Sequence, residues 1–264
     1  MGRHFILVAL AAFAAMLSSA QPSGVEANNR GVELRLASRP ADAVQEFNRA
    51  IQIAENSGDD RLLATALAGL GSALVELGEF ARAQPVLRRS LALFEKIAGP
   101  DSLETGEAAN NLAMLYRKTG EFSKAQEQME RALPRMQAHL DPGDMQLALA
   151  LNNMFIILVE QKQWDRAEPY LEQAREIAKD HAESSQFADI EENRALLLAH
   201  RGQYREAVET MREVLTIEQH TLRPDDPRVA RSLESYAGYL RKISEKSEAR
   251  RAELRAQSIR RAGS

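Results

Sequence analysis

The sequence predicts an all-α protein, a right-handed superhelix of about six antiparallel helix pairs, and three observations lead to this prediction. A short string that ends in alanine recurs along the chain at intervals of 40 or 42 residues. Apolar residues between the copies follow spacings of three and four, which are typical of amphipathic helices. Alanine and leucine dominate the apolar residues and aromatic residues make up only 5% of the chain, a composition that favours helix over strand.

The recurring string is a glycine, a polar residue and an aromatic residue, with alanine three residues further on. Its copies are Gly78–Ala83, Gly120–Ala125, Gly202–Ala207, the variant Lys162–Ala167, and weaker ones at 38–43 and 244–249. Glycine permits the positive φ that ends a helix, the aromatic residue fills the bend, and the small alanine lets two helices approach closely. We therefore expect the pairs to turn near residues 39, 79, 121, 163, 203 and 245.

Loops rich in Gly, Pro, Asp and Ser separate the predicted pairs. The repeats are expected near residues 24–58, 60–98, 102–140, 144–182, 185–222 and 226–262, so that the solenoid fills residues 21–264. A single pair cannot bury its own apolar face, and neighbouring pairs must therefore stack. Pro134 falls well inside a predicted helix, where we expect a kink or an early helix end.

The first twenty residues have the three-part pattern of a secretory signal peptide. Arg3 and His4 precede an apolar run from Phe5 to Leu17, and the small residues of 18–20 follow. The run is shorter than the roughly 20 residues that span a bilayer, although an uncleaved anchor helix is the alternative. We therefore expect an exported bacterial protein, periplasmic or secreted, whose mature chain has no membrane-spanning segment.

The repeats resemble those of the tetratricopeptide repeat (TPR) family. One copy matches the family's order of small and bulky residues at Ala113, Gly120, Phe122, Ala125, Met129 and Ala132. The interval exceeds the usual period of about 34 residues, and in this respect the chain is similar to the kinesin-light-chain type. That type carries Asn-Asn-Leu-Ala and a Gly-Pro-Asp-like linker, which stand here at 110–113 and 99–101. The resemblance covers about residues 24–262 and implies a scaffold that binds a peptide or protein, not an enzyme.

The resemblance also implies a concave groove lined by the first helix of each pair. The candidate groove residues are Asn110, Asn111, Arg117, Lys118, Asn152, Asn153 and Asn193. An asparagine amide both donates and accepts, so it can pair with a peptide main chain, and the two cations favour a carboxylate. Glu160 and Glu192 would oppose that preference further along. An equal alternative is that the asparagines bond to the neighbouring repeat and order the stack, and Ala68-Gly69 interrupts their row.

The sequence contains no sign of catalysis, a cofactor or a metal site. The chain has no cysteine, its histidines lack a second ligand at metal-binding spacing, and no phosphate-binding loop is present. The net charge of -4 is too small to indicate nucleic acid. Glu191-Glu192 and Asp225-Asp226 are expected to be solvated, and Trp164 is expected to pack in the core at its turn.

Two other functions stay open. A self-assembling structural protein would stack through its end repeats and expose apolar side chains there, whereas a small-ligand binder would need a deep pocket with convergent polar groups. Residues 241–264 carry eight cations against three acidic residues. This basic helix could contact an anionic membrane or an acidic partner, although a solvated cap that complements the helix dipole is the simpler interpretation.

Overall fold

A computed structural model describes residues 23–262, and this part of the chain contains twelve α-helices and no strand. The helices are α1 (Gly24–Leu36), α2 (Pro40–Ser57), α3 (Asp60–Glu76), α4 (Phe80–Ile97), α5 (Leu103–Lys118), α6 (Phe122–His139), α7 (Met145–Glu160), α8 (Trp164–Ala178), α9 (Ser185–His200), α10 (Tyr204–Thr221), α11 (Pro227–Lys242) and α12 (Lys246–Ala262). They form helix pairs, which confirms the all-α fold class.

The odd-numbered helix of each pair is its first helix and the even-numbered helix its second. All six turns between them contain one residue with positive φ, at Ser38, Gly78, Gly120, Lys162, Gly202 and Ser244, with φ between 58° and 77°. Glycine was predicted for this role, since it adopts positive φ without steric cost. Ser38, Lys162 and Ser244 adopt the same backbone at the cost that a Cβ incurs there.

The chain divides into two compact units, one ending at Arg135 and the other beginning at Met136. Both units are built on the alanine that closes each recurring string, here called the signature alanine. The signature alanines are at most 1% exposed: Ala43, Ala83, Ala125, Ala167, Ala207 and Ala249. Because a methyl group takes so little room, the second helix can pack closely at this point.

In the first unit, large side chains of second helices pack over glycines of first helices. Phe47 of α2 is completely buried, and a Cβ added at Gly31 or Gly69 would lie only 2.7 or 2.3 Å from its Cε1 atom. Leu87 of α4 packs over Gly71 in the same way, since a Cβ added at Gly71 would lie 2.3 Å from its Cδ2 atom. These glycines are therefore required by packing, in contrast to the turn glycines.

In the second unit, the core is made of aliphatic residues with few aromatic ones. Phe155, Leu171 and Ile190 are completely buried. A further cluster joins α9 to α12 around Met211 and Leu240. Each buried leucine, isoleucine or methionine contributes on the order of 1.5–3 kcal/mol of hydrophobic stabilisation.

Of the two outcomes expected at Pro134, a kink or an early helix end, the early end is wrong, because α6 continues to His139. Pro134 itself is exposed, whereas Leu133 and Met136 are buried. The Arg135 guanidinium donates to the main-chain carbonyls of Arg131 and Pro100. Burial of the apolar side of the helix thus outweighs the one backbone hydrogen bond that a proline removes.

The two end helices, α1 and α12, expose apolar side chains, which a purely polar cap would not. On α1 the side chains of Val25, Val32 and Leu36 are 55%, 39% and 82% exposed. On α12 the exposed apolar residue is Leu254, in a surface otherwise rich in arginine. Within residues 23–262, apolar exposure is therefore concentrated on α1.

Between residues 23 and 262, no helix combines the length and the apolar character that crossing a bilayer requires. The predicted signal segment, residues 1–20, lies outside the described residues.

Lys162→Gly should raise the free energy of unfolding by about 0.5–1 kcal/mol, because glycine removes the Cβ clash at positive φ and this gain exceeds its greater entropy loss. The reciprocal change Gly120→Ala should lower it by about 1 kcal/mol. Urea unfolding followed by far-UV circular dichroism measures both. Lys124→Gly, inside α6, is the control and should destabilise; an equal loss in Lys162→Gly would contradict the role assigned to the turn.

Candidate binding face

Two rows of half-buried or exposed residues occupy constant positions on the first helices, although Phe47 of the second helix α2 lies over one of them, Gly69. The amide row lies 14 residues before each signature alanine: Asn29, Gly69, Asn111, Asn153, Asn193 and Ser235. The apolar row lies 11 residues before it: Val32, Ser72, Met114, Ile156, Leu196 and Gly238. All twelve are half-buried or exposed. Each unit carries three members of each row, and together the rows define the open face.

The apolar row was missed in the sequence analysis, although its signal was present. Residues three apart lie on the same side of a helix, so each member follows its amide-row neighbour on the same face. Val32 and Leu196 are 39% and 38% exposed, and Met114 and Ile156 are half-buried. The open face therefore offers apolar contacts beside its amides.

In the second unit, two predicted groove asparagines bond to each other. The Asn193 side-chain nitrogen donates to the Asn152 side-chain oxygen at 2.8 Å, and Asn152 is only 5% exposed. Asn152 lies 15 residues before its signature alanine and Asn193 lies 14 before the next one. This bond between successive first helices supports the stack-ordering interpretation for this pair.

The same spacing from the signature alanine explains why a buried asparagine of the first unit has no hydrogen-bond partner among the described residues. Asn28 is 7% exposed and its side-chain oxygen is buried without a hydrogen-bond partner among the described residues. Its position corresponds to that of Asn152, and the matching donor position on the next first helix is Gly69. Since Phe47 fills the space over Gly69, no asparagine side chain fits there and Asn28 loses its partner.

The other predicted groove residues lie on α5 and α7. Asn110, Asn111 and Arg117 are half-buried and Lys118 is exposed, all on α5 in the first unit. Asn153 is half-buried on α7 in the second unit. Asn111 and Lys118 are two turns apart and share one side of α5. Their contact with a partner stays a prediction.

The expectation that Glu191 is solvated is wrong. Glu191 is 1% exposed and accepts hydrogen bonds from Arg175 of α8 at 2.6 Å and from Arg194 at 3.1 Å. Arg194 also donates to the Thr210 hydroxyl of α10 at 3.1 Å. A buried carboxylate needs such partners, and the network joins three successive helices of the second unit.

Three further carboxyl groups lie together beside the open face of the second unit, and we call them the acidic recess: Asp189 and Glu192 of α9 and Glu218 of α10. Burial raises the pKa of each, and the negative charges of Asp189 and Glu192 raise the pKa of Glu218 further. Opposing this, Arg231 of α11 lowers the pKa of Asp189 and Glu192. Burial, the largest cause, thus makes the charged forms of all three carboxyl groups less favourable than they are in water.

Trp164 does not pack in the core as expected. It is half-buried, and its ring stacks on exposed His200 with centroids 3.8 Å apart and an angle of 8° between the planes. An ion pair between Glu168 and Arg201 lies along the same small cleft. The stack joins α8 to α9, so the turn aromatic contributes to contact between neighbouring repeats.

The described chain contains clefts lined mainly by charged and polar side chains. One of about 550 Å³ lies between α1 and α2, lined by residues that include Glu26, Arg30 and Glu46. Across residues 23–262, no three histidine or acidic side chains lie close enough together to hold a metal ion.

Comparison with known proteins places these features in a family. The model described as "Tetratricopeptide repeat" matches residues 26–96, 62–138, 104–180 and 186–262. No curated protein matches the chain. Among solved structures, BtubC (BKLC) from P. vanneervenii is 22% identical, with a TM-score of 0.65, over 86% of this chain and 91% of that one. A putative kinesin light chain from Podosopora anserina is 20% identical, with a TM-score of 0.59, over 74% and 93%. The apo form of RapI is 14% identical, with a TM-score of 0.71, over 94% and 88%.

Asn152→Ala and Asn193→Ala should each lower the free energy of unfolding by about 1–2 kcal/mol, because each leaves one amide without its partner in a largely buried site. The double variant should lose about 1 kcal/mol less than the sum of the two. Urea unfolding of the four proteins gives the coupling. Asn29→Ala, at an exposed position of the same face, is the control; strictly additive losses would mean that the bond carries no stability.

Glu218→Gln should raise the thermal midpoint at pH 7.5, and the gain should shrink as the pH falls towards 4.5. The folded state raises the pKa of Glu218, so its stabilising contribution is present below the pKa of the unfolded chain and is lost as the pH rises through the folded pKa. The other charged groups near Glu218 are the same in both proteins, namely Asp189, Glu192, Asp226, Arg228 and Arg231. Differential scanning fluorimetry across this range gives the comparison.

Glu234→Gln supplies the opposite control, because its bond from Arg260 lowers the pKa of Glu234. That variant should be destabilised at pH 7.5 and approach the parent at low pH. A gain for Glu218→Gln that does not change with pH would contradict the electrostatic cause.

Proposed function

The chain belongs to the tetratricopeptide repeat family, and from this premise we propose that it is a scaffold whose open face binds an extended peptide or a protein segment. TPR solenoids generally serve as protein-interaction scaffolds. The observation that carries the proposal is the pairing of the two rows, since amides suit a peptide main chain and the adjacent apolar side chains suit its side chains. Within each unit, the members of both rows stay half-buried or exposed after the helices have packed, except that Gly69 lies under Phe47.

The asparagines divide between two roles in this proposal. Asn152 is buried and engaged by Asn193, so it orders the stack. Members of the amide row, such as Asn111 and Asn153, lie further out and are assigned to the partner. Arg117 and Lys118 add a preference for a carboxylate in the first unit.

The proposal extends to location and chemistry. Residues 1–20 would direct export, so that the mature chain acts in the periplasm or outside the cell, in a bacterium. The chain would act by binding alone, without catalysis, nucleic acid or a cofactor. The charge separation between the basic end of the chain and the rest permits a weak contact of α12 with an anionic surface.

A second candidate function, self-assembly through the end repeats, is favoured by the exposure of apolar residues at both ends. Leu36 is 82% exposed on α1 and Leu254 is 49% exposed on α12. Val25, Val32 and Leu36 lie 18, 11 and 7 residues before Ala43. They therefore share the open-face positions of the other first helices and serve the first function equally well.

Photo-crosslinking distinguishes the two functions. Benzoylphenylalanine is placed singly at Leu196 of the apolar row, at Leu36 of α1, or at Leu254 of α12, in the full chain expressed in its own host. We expect Leu196 to yield adducts with one or a few other proteins, identified by mass spectrometry, because an accessible apolar row must lie against the bound segment.

Leu254 is the matched control, since it is similarly exposed in the same unit but lies on a second helix. Adducts from Leu196 that are absent from Leu254 support the open face as the site. Adducts that join two copies of the chain from Leu36 or Leu254, with none to other proteins, would replace binding by self-assembly.

A further inference from the structure

The acidic recess adjoins the open face of the second unit. Asp189 and Glu192 lie on α9 at 18 and 15 residues before Ala207. Asp189 is about one turn before Asn193, and Glu192 is about one turn before Leu196. Both are half-buried, and Glu218 of α10 lies behind them, only 3% exposed. A segment that contacts the rows on α9 would therefore pass the mouth of the recess.

The carboxyl groups of the recess outnumber the guanidinium groups that face them. On the α11 side, Arg228 is engaged by Asp226 through contacts of 3.2 and 3.1 Å. Arg231 reaches Glu192 at 3.4 Å and is itself more than half exposed. Among the facing residues from α9, α10, α11 and the preceding loop, two guanidinium groups, those of Arg228 and Arg231, thus face four carboxyl groups, those of Asp189, Glu192, Glu218 and Asp226.

The hydrogen bonding of Glu218 is independent evidence that the recess lacks positive charge. One oxygen of Glu218 accepts from the Ser232 hydroxyl at 2.7 Å. The other oxygen is buried and has no hydrogen-bond partner among the described residues. A buried charged oxygen without a donor is costly, and a cation brought into the recess would reduce that cost.

The mouth of the recess also has an apolar side. Leu196 is 38% exposed one turn after Glu192, and Tyr239 of α11 lies near enough for the charge of Glu192 to help raise the pKa of its phenol to about 12. An apolar group beside one or more carboxylates suits the methylene stem and the charged head of a basic side chain, or two adjacent residues of a peptide.

We propose that the second unit selects a peptide segment in which a lysine or arginine enters the acidic recess while a neighbouring apolar residue packs on Leu196. This rests on the proposed function and adds the chemistry of the partner to it. The ligand cation donates to the carboxylates of Asp189 and Glu192 and lowers the excess negative charge around Glu218. The second unit thereby prefers basic segments, whereas Arg117 and Lys118 of the first unit favour acidic ones.

Binding of defined peptide pools tests the proposal. Four fluorescein-labelled pools of twelve-residue peptides have leucine fixed at the centre and Lys, Arg, Gln or Glu fixed two residues later, with the other positions random. Fluorescence anisotropy with the full chain at fixed ionic strength gives the apparent affinity of each pool. We expect the Lys and Arg pools to bind about tenfold more tightly than the Gln pool, because the charge-assisted bonds have no equivalent in a neutral side chain.

The isosteric variant Asp189→Asn/Glu192→Gln should bind the Lys pool no more tightly than the Gln pool, with the Gln pool unchanged. Glu206→Gln/Glu209→Gln is the matched control, because these two acidic residues are exposed on the second helix α10, and it should keep the preference. Lowering the pH from 7 to 5 should weaken the preference, since the pKa values of Asp189 and Glu192 are raised.

Equal binding of the Lys and Gln pools, or a preference that survives in the Asp189→Asn/Glu192→Gln variant, overturns the recess proposal. If Leu196→Ser still weakens all pools in that case, the binding face stands and only its selectivity is wrong. Tightest binding of the Glu pool also overturns it. If no pool binds and Leu196 yields no crosslinks, the recess proposal and the proposed function both fail.

Discussion

The close contact at the signature alanine sets the position of everything else in each repeat. Because alanine presents only a methyl group, the second helix packs at a fixed depth and a fixed point along the chain. Within each unit, the intervals of 40 and 42 residues between these alanines then bring equivalent positions of successive first helices into line. The amide and apolar rows are consequences of this alignment, since a residue at a constant distance from the contact faces in a constant direction.

The first helices show how one face can serve both stacking and recognition. Fifteen residues before its signature alanine, Asn152 is buried inside the stack and accepts from Asn193, whereas Asn110 and Glu192 at the equivalent position are half-buried. The position after Asn152 lies further out on the same helix. Where large packing groups intrude, as Phe47 does over Gly69, the polar contact is lost and Asn28 keeps a buried oxygen without a partner among the described residues. Core packing and the asparagine hydrogen bonds between successive first helices therefore compete for the same space.

The second unit contains two acidic environments on one helix with opposite outcomes. Glu191 is the more deeply placed, yet it has two arginine partners. Asp189 and Glu192, facing the other way, share the guanidinium groups of Arg228 and Arg231 with Asp226 and with the carboxyl group of Glu218 behind them. A buried ion pair of the first kind fixes structure, since removing one partner leaves a charge without compensation. An incompletely neutralised cluster of the second kind is stabilised by any cation that reaches it.

The sequence by itself determined the helix pairs, their turns and their loops, because these depend on local periodicity and on the residue that ends each helix. It also placed Asn110, Asn111, Asn152, Asn153 and Asn193 at equivalent positions. Only the tertiary structure decided that Asn152 and Asn193 bond to each other, that Glu191 is buried, that α6 passes through Pro134, and that Leu196 stays accessible beside the acidic recess. The physical reason is that the solvation of a side chain and the partners it finds depend on the helix packed against it, 14 to 41 residues away in the chain for the contacts discussed here. Periodicity assigns a residue to a face, and neighbouring helices decide what covers that face.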